Sequence, residues 1–475
     1  VGGNNMKKWT KKGLAVTVAG MMVFGLTACG GSGDSKESGK LVFQIWDAGQ
    51  KAGMEKLASA YMEEHPDVKI EVQATGWDEY WTKLEASATS NSMPDIFWMH
   101  SNQMYKYADN GILADCSDIV ETDKYSENAV ANAQGSDGKI YGVPKDKDLV
   151  VLVYNKELFD QAGVSYPDDE WTWDDMTDAS EQIYDKTGKY GYMAYAHDQI
   201  GYWNFVYQNG GEILNEDGTE AEYTEPATAD AIKYYIDLQK NDWCPTQDQF
   251  ANTSATEQFF SGQGAMFYAG SWDLTNFCTT YKDMNGKWDV AVLPKCPNPE
   301  NGDGKAVISN SVSYATAAKG KNKDLAMDFL KFLGSEEGQK IEGESGVAIP
   351  AYNGLEDCWA KTFAENDYDV NVENIIPMFD YSVKYVNNPS RPSWEPKVEQ
   401  TVLDIYAGNT SVDDGIQSMQ EMTREFNDEK TVENLYSFIG DLRKEYLPHG
   451  VTENEFLERL DPENLENIQK EIAYT

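Results

Sequence analysis

Apolar and polar positions change rhythm in a regular way along residues 41–111. Leu41 to Trp46 is an apolar run of strand length, and it leads through Asp47-Ala48-Gly49 into a segment whose apolar residues are Met54, Leu57, Ala58, Tyr61 and Met62. Those fall at i, i+3, i+4, i+7 and i+8, which places one apolar stripe along a helix. His65-Pro66-Asp67 stops it, and Val68 to Val72 alternates as a second strand. Trp77 to Ala88 reads as helix, Pro94-Asp95 breaks it, Asp95 to Met99 is a third strand, and a helix around Met104 to Asp109 closes at Asn110-Gly111. Strands separated by helical segments predict βαβ units and an α/β sheet flanked by helices.

The pattern then crosses Asp137 to Phe159. Turn residues Asp137, Gly138, Gly142 and Pro144 lead through Lys145-Asp146-Lys147-Asp148 into the apolar run Leu149 to Tyr154, and a helix opens near Lys156. A chain of 475 residues is expected to divide into more than one compact unit. We read this stretch as the first crossing between two such units, which makes Asp148 a ligand-side residue and leaves Lys145, Asp146 and Lys147 as a solvated edge. Further on, helices are expected over 174–183 and 228–239 and strands over 265–269 and 288–293, the first of these strands ending in Gly270-Ser271-Trp272. Val307 to Ala317 is either a strand pair or a second crossing and contains Ser309-Asn310-Ser311. Leu325, Ala326, Phe329, Leu330 and Leu333 line a helix that Gly334 is placed to end in a left-handed turn.

In α/β sheets ligands collect beyond the carboxyl ends of strands. Trp46-Asp47, Trp98 to Asn102 and Trp272 all stand at such ends. The tryptophans are candidate stacking platforms, and Asp47, Asn102, Asp148 and Asn310 candidate hydrogen-bonding partners. Seven aromatics crowd Tyr190 to Tyr207 beside His197 and Asp198, and from them Tyr202 and Trp203 are the expected ligand wall. Aromatic residues make up 12% of the chain, a load suited to amphipathic ligands such as sugars. The net charge of −41 argues against a nucleic-acid partner.

Lys7, Lys8, Lys11 and Lys12 precede the apolar run Gly13 to Ala28, which ends in Leu26-Thr27-Ala28-Cys29. The run is short for a membrane span and reads as a signal peptide over 1–28. Its end resembles a bacterial lipobox, which implies a lipid on Cys29 and a Gly/Ser tether over 29–39. Translation is expected to start at Met6. The five later cysteines show no C-x-x-C spacing and there are only four histidines, so no metal or other cofactor is expected. Buried reduced thiols are the preferred reading; a Cys278–Cys296 disulfide is conceivable.

Taken in order, these segments resemble family 1 extracellular solute-binding proteins of the maltose-binding type. The likeness is carried by Leu41 to Trp46, Pro94-Asp95-Ile96-Phe97-Trp98, Gly138 to Pro144, Tyr154-Asn155-Lys156-Glu157-Leu158-Phe159, Trp171-Thr172-Trp173, Gly270-Ser271-Trp272, and Ala326 to Leu333 with Ser335 to Gln339. The resemblance implies two α/β lobes with mixed or parallel sheets, joined by hinge strands. Lobe I would take 40–147 and 311–352, lobe II 148–310 and 353–426. It implies that Asp148 accepts sugar hydroxyls at the first hinge, that Trp272 and Trp98 stack with Asn102 beside them, and that Trp394 lies near the cleft. Residues 427–475 go beyond the family pattern and read as an extra helical segment. The implied activity is capture of an oligosaccharide by a lipid-anchored monomer on the outer face of the bacterial cytoplasmic membrane, for delivery to ABC permease subunits. The same fold binding a peptide or polyamine is the alternative. An exported glycoside hydrolase is a further one, for which the sequence offers no nucleophile elbow, metal motif or telling carboxylate pair.

Overall fold

The computed structural model describes residues 39–90, 92–215 and 218–427. The expected signal peptide, Cys29, nearly all of the expected tether and, but for Asn427, the segment 427–475 lie outside them. Each expected strand and helix up to residue 110 forms within a few residues of its pattern: β1 (Gly39–Ile45), α1 (Lys51–Glu64), β2 (Val68–Ala74), α2 (Trp77–Ser90), β3 (Ile96–His100) and α3 (Ser101–Asp109). Alternating burial in β2, exposed at Lys69, Glu71 and Gln73, marks it as an edge strand covered on one face. β3 is buried at Ile96, Phe97, Trp98 and Met99, as a central strand covered on both faces must be.

Two hydrophobic cores follow from this. The first lies around a five-stranded sheet of order β2-β1-β3-β10-β4, where β4 is Val143–Pro144 and β10 is Val312–Ala315. β1 runs parallel to β2 and β3, while β10 is antiparallel to β3 and β4, so the sheet is mixed. The second surrounds a four-stranded sheet of order β6-β7-β5-β8, made by β5 (Val150–Asn155), β6 (Tyr190–Tyr192), β7 (Gly264–Gly270) and β8 (Trp288–Ala291). β9 (Val307–Ser309) and β11 (Ser382–Lys384) pair in parallel beside it. Val307 to Ala317 is thus a crossing and not a strand pair: its two strands join different sheets, with Val307 and Ile308 in the second core and Tyr314 and Ala315 in the first.

Three segments pass side by side between the cores. Lys145 N–H donates to the Val312 carbonyl (2.8 Å) and Asp148 N–H to that of Asn310 (3.0 Å), while Lys147 N–H donates to Ile349 (3.0 Å) and Ala351 N–H to Lys145 (3.1 Å). The charged run is not a solvated edge. Lys145, Asp146, Lys147 and Asp148 are all buried, because neighbours on both sides cover this strand and partners within reach neutralise its charges.

Gly334 also departs from expectation. It ends the helix Lys323–Leu333 with φ −86°, not in a left-handed turn. A Cβ there would come within 2.6 Å of Val143 Cγ1, so close packing against β4 is what requires glycine. All five cysteines among the described residues are free thiols, Cys278 and Cys296 included.

Candidate functional site

A cavity of about 630 Å³ opens between the two sheets, at the ends of β1, β3 and β7 and alongside the crossing 145–148. Trp46, Asp47, Trp98, Asn102, Asp148 and Trp272 line it together. Its first wall is aromatic. Trp46 meets Trp98 edge to face at 5.0 Å and Trp77 at 5.2 Å, and lies 5.8 Å from Trp81. Edge-to-face contacts hold indoles in fixed orientations, which makes a rigid surface for an apolar ligand face. On the opposite side, Trp272 follows β7 directly. A Cβ on Gly270 would stand 2.1 Å from the Trp272 ring, so the glycine is what lets this indole fold back over the strand end.

The floor is the crossing. Lys145 donates to Asp146 (2.6 Å) and Gln50 (3.1 Å), lies 3.2 Å from Glu342, and its ammonium sits 4.7 Å from the Trp98 ring centre. Asp148 Oδ1 accepts from Asn310 N–H (2.7 Å), and its other oxygen accepts from Gln199 Nε2 (3.4 Å). Burial, with the charge of Asp146 second, pushes the Asp148 carboxyl up to about 8. At neutral pH it is a protonated acid, able to donate to a ligand oxygen as well as to accept.

The second wall is charged. Arg391, wholly buried, reaches Asp198 (3.0 Å) and Glu395 (2.6 Å) and stacks 3.9 Å from the Tyr385 ring centre. Tyr385 O–H donates to Asp198 (2.6 Å). Burial alone would raise Asp198, but His197, Arg391 and Tyr385 outweigh it and hold this carboxyl below the ordinary range. Glu399 pairs with no cation among the described residues. Burial and the charges of Asp198 and Glu395 push it up to about 7. Oxygens of Asp198, Glu395 and Glu399 all lie within 4.8 Å of one another. Asp273, beside Trp272, is pushed to about 7 by burial and by Asp47.

Four of the expected residues do not line the cavity. Tyr202 and Trp203 are buried in the second core, 3% and 1% exposed. The turn Asp198–Tyr202 and the helix Trp203–Gln208 point their rings inward and present His197, Asp198 and Gln199 to the ligand side instead. Trp394 is wholly buried on helix Arg391–Tyr406, its indole N–H donating to Asn388. Asn310 is a tie between segments: it accepts from Ser101 (2.7 Å) and donates to His100 Nε2 (2.9 Å). His100 in turn donates through Nδ1 to Asn102 (2.8 Å), and burial lowers it to about 4, so one neutral tautomer satisfies both contacts.

The pattern missed Trp77, Trp81, His100, Tyr385, Glu395 and Glu399. For Trp77 and Trp81 a signal existed. They are spaced i, i+4 in the first turns of the helix that follows β2, and Trp77 remains 42% exposed. No local signal marks Glu395 or Glu399, since they reach the cavity only through the packing of a helix some 300 residues from Trp98.

The family model of bacterial extracellular solute-binding proteins matches residues 46–340. A diacetylchitobiose binding protein of Streptomyces coelicolor is 26% identical over 72% of this chain and 82% of its own length. A galactooligosaccharide-binding protein of Bacillus subtilis is 25% identical over 73% and 82%. In fold the chain is similar to an ABC substrate-binding protein from Listeria monocytogenes solved in complex with cycloalternan, with TM-score 0.72 and 22% identity over 82% of this chain and 99% of the other. The two-lobed α/β fold and the length of the match leave one assignment: the chain belongs to the bacterial extracellular solute-binding proteins.

Proposed function

We propose that this protein captures an oligosaccharide between its lobes and delivers it to the permease subunits of an ABC importer, while a lipid on Cys29 holds the monomer at the outer face of the cytoplasmic membrane. One observation carries the ligand class: the cavity has an aromatic wall facing a wall of hydrogen-bonding acids. A sugar ring presents the complement, an apolar face and a rim of hydroxyl donors and acceptors. Protonated Asp148 and ionised Asp198 supply a donor and an acceptor to such a rim. The named relatives bind diacetylchitobiose and galactooligosaccharide, which supports the same class here.

The test is a calorimetric screen of neutral oligosaccharides, including diacetylchitobiose, galactooligosaccharides and maltodextrins. Replacing Trp272 by Ala is expected to weaken the best ligand by about 1–3 kcal/mol. Unchanged affinity would remove Trp272 from the ligand wall. For the anchor, cells treated with an inhibitor of lipoprotein signal peptidase are expected to accumulate a precursor heavier by the leader, read by mass spectrometry. An unchanged mass overturns lipidation at Cys29.

A second reading has one observation in its favour. Glu399, with Asp198 and Glu395 beside it and no paired cation among the described residues, suits a ligand bearing an ammonium group. Spermidine in the same screen separates the two readings.

A further inference from the structure

The acids of the second wall outnumber the cations that serve them. Glu395 and Glu399 stand one turn apart on helix Arg391–Tyr406, so both carboxylates leave the same face of it. The turn Asp198–Tyr202 brings Asp198 against them, and oxygens of all three lie within 4.8 Å of one another. Arg391 serves the other two: Nη2 donates to Asp198 (3.0 Å) and Glu395 (2.6 Å), Nε to Glu395 (3.0 Å), and Nη1 to the Val386 carbonyl. His197 is the other basic group of the cluster, and it lies against Asp198 (3.1 Å). Of the two lysines that line the cavity, Lys106 pairs with Glu85 (3.1 Å) and Lys145 with Asp146 and Glu342. Like charges at i and i+4 of a helix oppose its folding, and no cation among the described residues offsets this pair at Glu399. Burial and the neighbouring acids push Glu399 up to about 7, which is how a missing counter-charge registers.

These acids face indoles across one cavity. Trp46, Trp77, Trp81 and Trp98 line its other wall. Trp98, 1% exposed, carries an indole N–H with no acceptor among the described residues. Amide donors stand between the walls. Asn102 Nδ2 reaches Glu395 at 3.3 Å and Gln199 Nε2 reaches Asp148 at 3.4 Å, both longer than an ordinary N–H···O bond and so open to exchange for a ligand oxygen. A polyamine would meet the acids and leave the flat indole faces and the amides without partners. A neutral sugar would meet the indoles and amides and leave Glu399 without a counter-charge.

We propose that the cavity selects an oligosaccharide that carries a protonated amine, of the 2-amino-2-deoxy sugar type: the indoles take the apolar faces of its rings, and Asp198, Glu395 and Glu399 hold the ammonium group. This rests on the oligosaccharide reading above and adds the ligand's charge to it. An ammonium has three donors, one for each carboxylate. Its charge acts within a wall where water screens less than in bulk, so a hydroxyl in the same place is the weaker ligand.

Calorimetric titration at pH 7 and physiological salt compares the β-1,4-linked tetramer of glucosamine with cellotetraose, which has the same linkage and a hydroxyl in place of each amine. The wild type is expected to bind the glucosamine tetramer at least about tenfold more tightly, and Glu399→Gln to bring that ratio below about threefold. Glutamine keeps the size of the side chain, so a changed ratio reports its charge. Glu63→Gln, an exposed acid on α1 that does not line the cavity, is the control for attraction to the net charge of −41 and is expected to leave the ratio unchanged. Equal affinities in the wild type overturn the proposal, as does a ratio that Glu399→Gln leaves alone or that Glu63→Gln lowers as far. If neutral oligosaccharides bind and the glucosamine tetramer does not, the amine assignment falls and the oligosaccharide reading stands. If no oligosaccharide binds, both fall.

Discussion

Replacing Arg391 by Met is expected to lower the unfolding free energy by about 3–5 kcal/mol, read from urea denaturation at pH 7. The guanidinium is wholly buried and, among the described residues, is the one cation that Asp198 and Glu395 share. Methionine fills much of the volume but returns no charge. Asp198 would keep Tyr385 and His197, and Glu395 only the amide of Asn102 at 3.3 Å. Glu395 would then stand in a low-dielectric wall with one weak neutral donor, beside an Asp198 that has lost its guanidinium. Stacking on Tyr385 and Trp203 is lost too, at 3.9 and 4.9 Å from the ring centres. Lysine is expected to recover less than half of the loss, because it cannot bond two carboxylates in one plane while stacking. Adding Glu395→Gln to Arg391→Met is expected to restore part of the stability by removing one stranded charge. A single Arg391→Met variant within 1 kcal/mol of the wild type would show that the acids are neutralised elsewhere.

Asp148→Asn is expected to change how stability depends on pH. The folded carboxyl is raised to about 8 from an ordinary 3.8, so between those values the folded state holds a proton that the unfolded chain has released. A raised folded pKa contributes stability that is fully present below the unfolded value and is lost as pH rises through the folded one. From pH 5 to 7 this one group tilts the unfolding free energy downward by about 1.4 kcal/mol per pH unit. Asparagine titrates nowhere, so the variant's profile is expected to be flatter by that amount over this range and relatively more stable at pH 8 than at pH 5. Asn310 N–H still finds an acceptor in the amide oxygen. Parallel pH profiles for wild type and variant would mean that Asp148 ionises normally at the crossing.

Glu399, pushed up to about 7 where it lines the cavity, matters to binding in the same range. It loses its charge as pH falls, changing from acceptor only to acceptor and donor. The second wall of the cavity therefore changes its hydrogen-bonding character near neutral pH.

By itself the sequence determined the secondary structure of residues 39–110, the two-lobed α/β class and the family, because each rests on local regularities. Periods of 3.6 and 2 set which face of a helix or strand is apolar, and glycine and proline mark where each element stops. It also placed Trp46 and Trp272 just past strand ends, since a strand's end is where its apolar run gives way to turn residues, whereas Trp98 falls in the middle of β3.

Tertiary structure alone decided the rest. The inward direction of Tyr202, Trp203 and Trp394 depends on how their helices roll against the second core, which aromatic density does not encode. Burial of Lys145 to Asp148 depends on Glu342, Glu356 and the backbone of two other crossings, all of them more than 160 residues away in sequence. Charge in a sequence reads as solvent-exposed unless the partner that neutralises it is known, and here every partner but Asp146 is distant. For the same reason Gly334 suggested a turn and proved to be a packing contact: the Val143 methyl that forbids a Cβ comes from β4, far from this helix end in sequence.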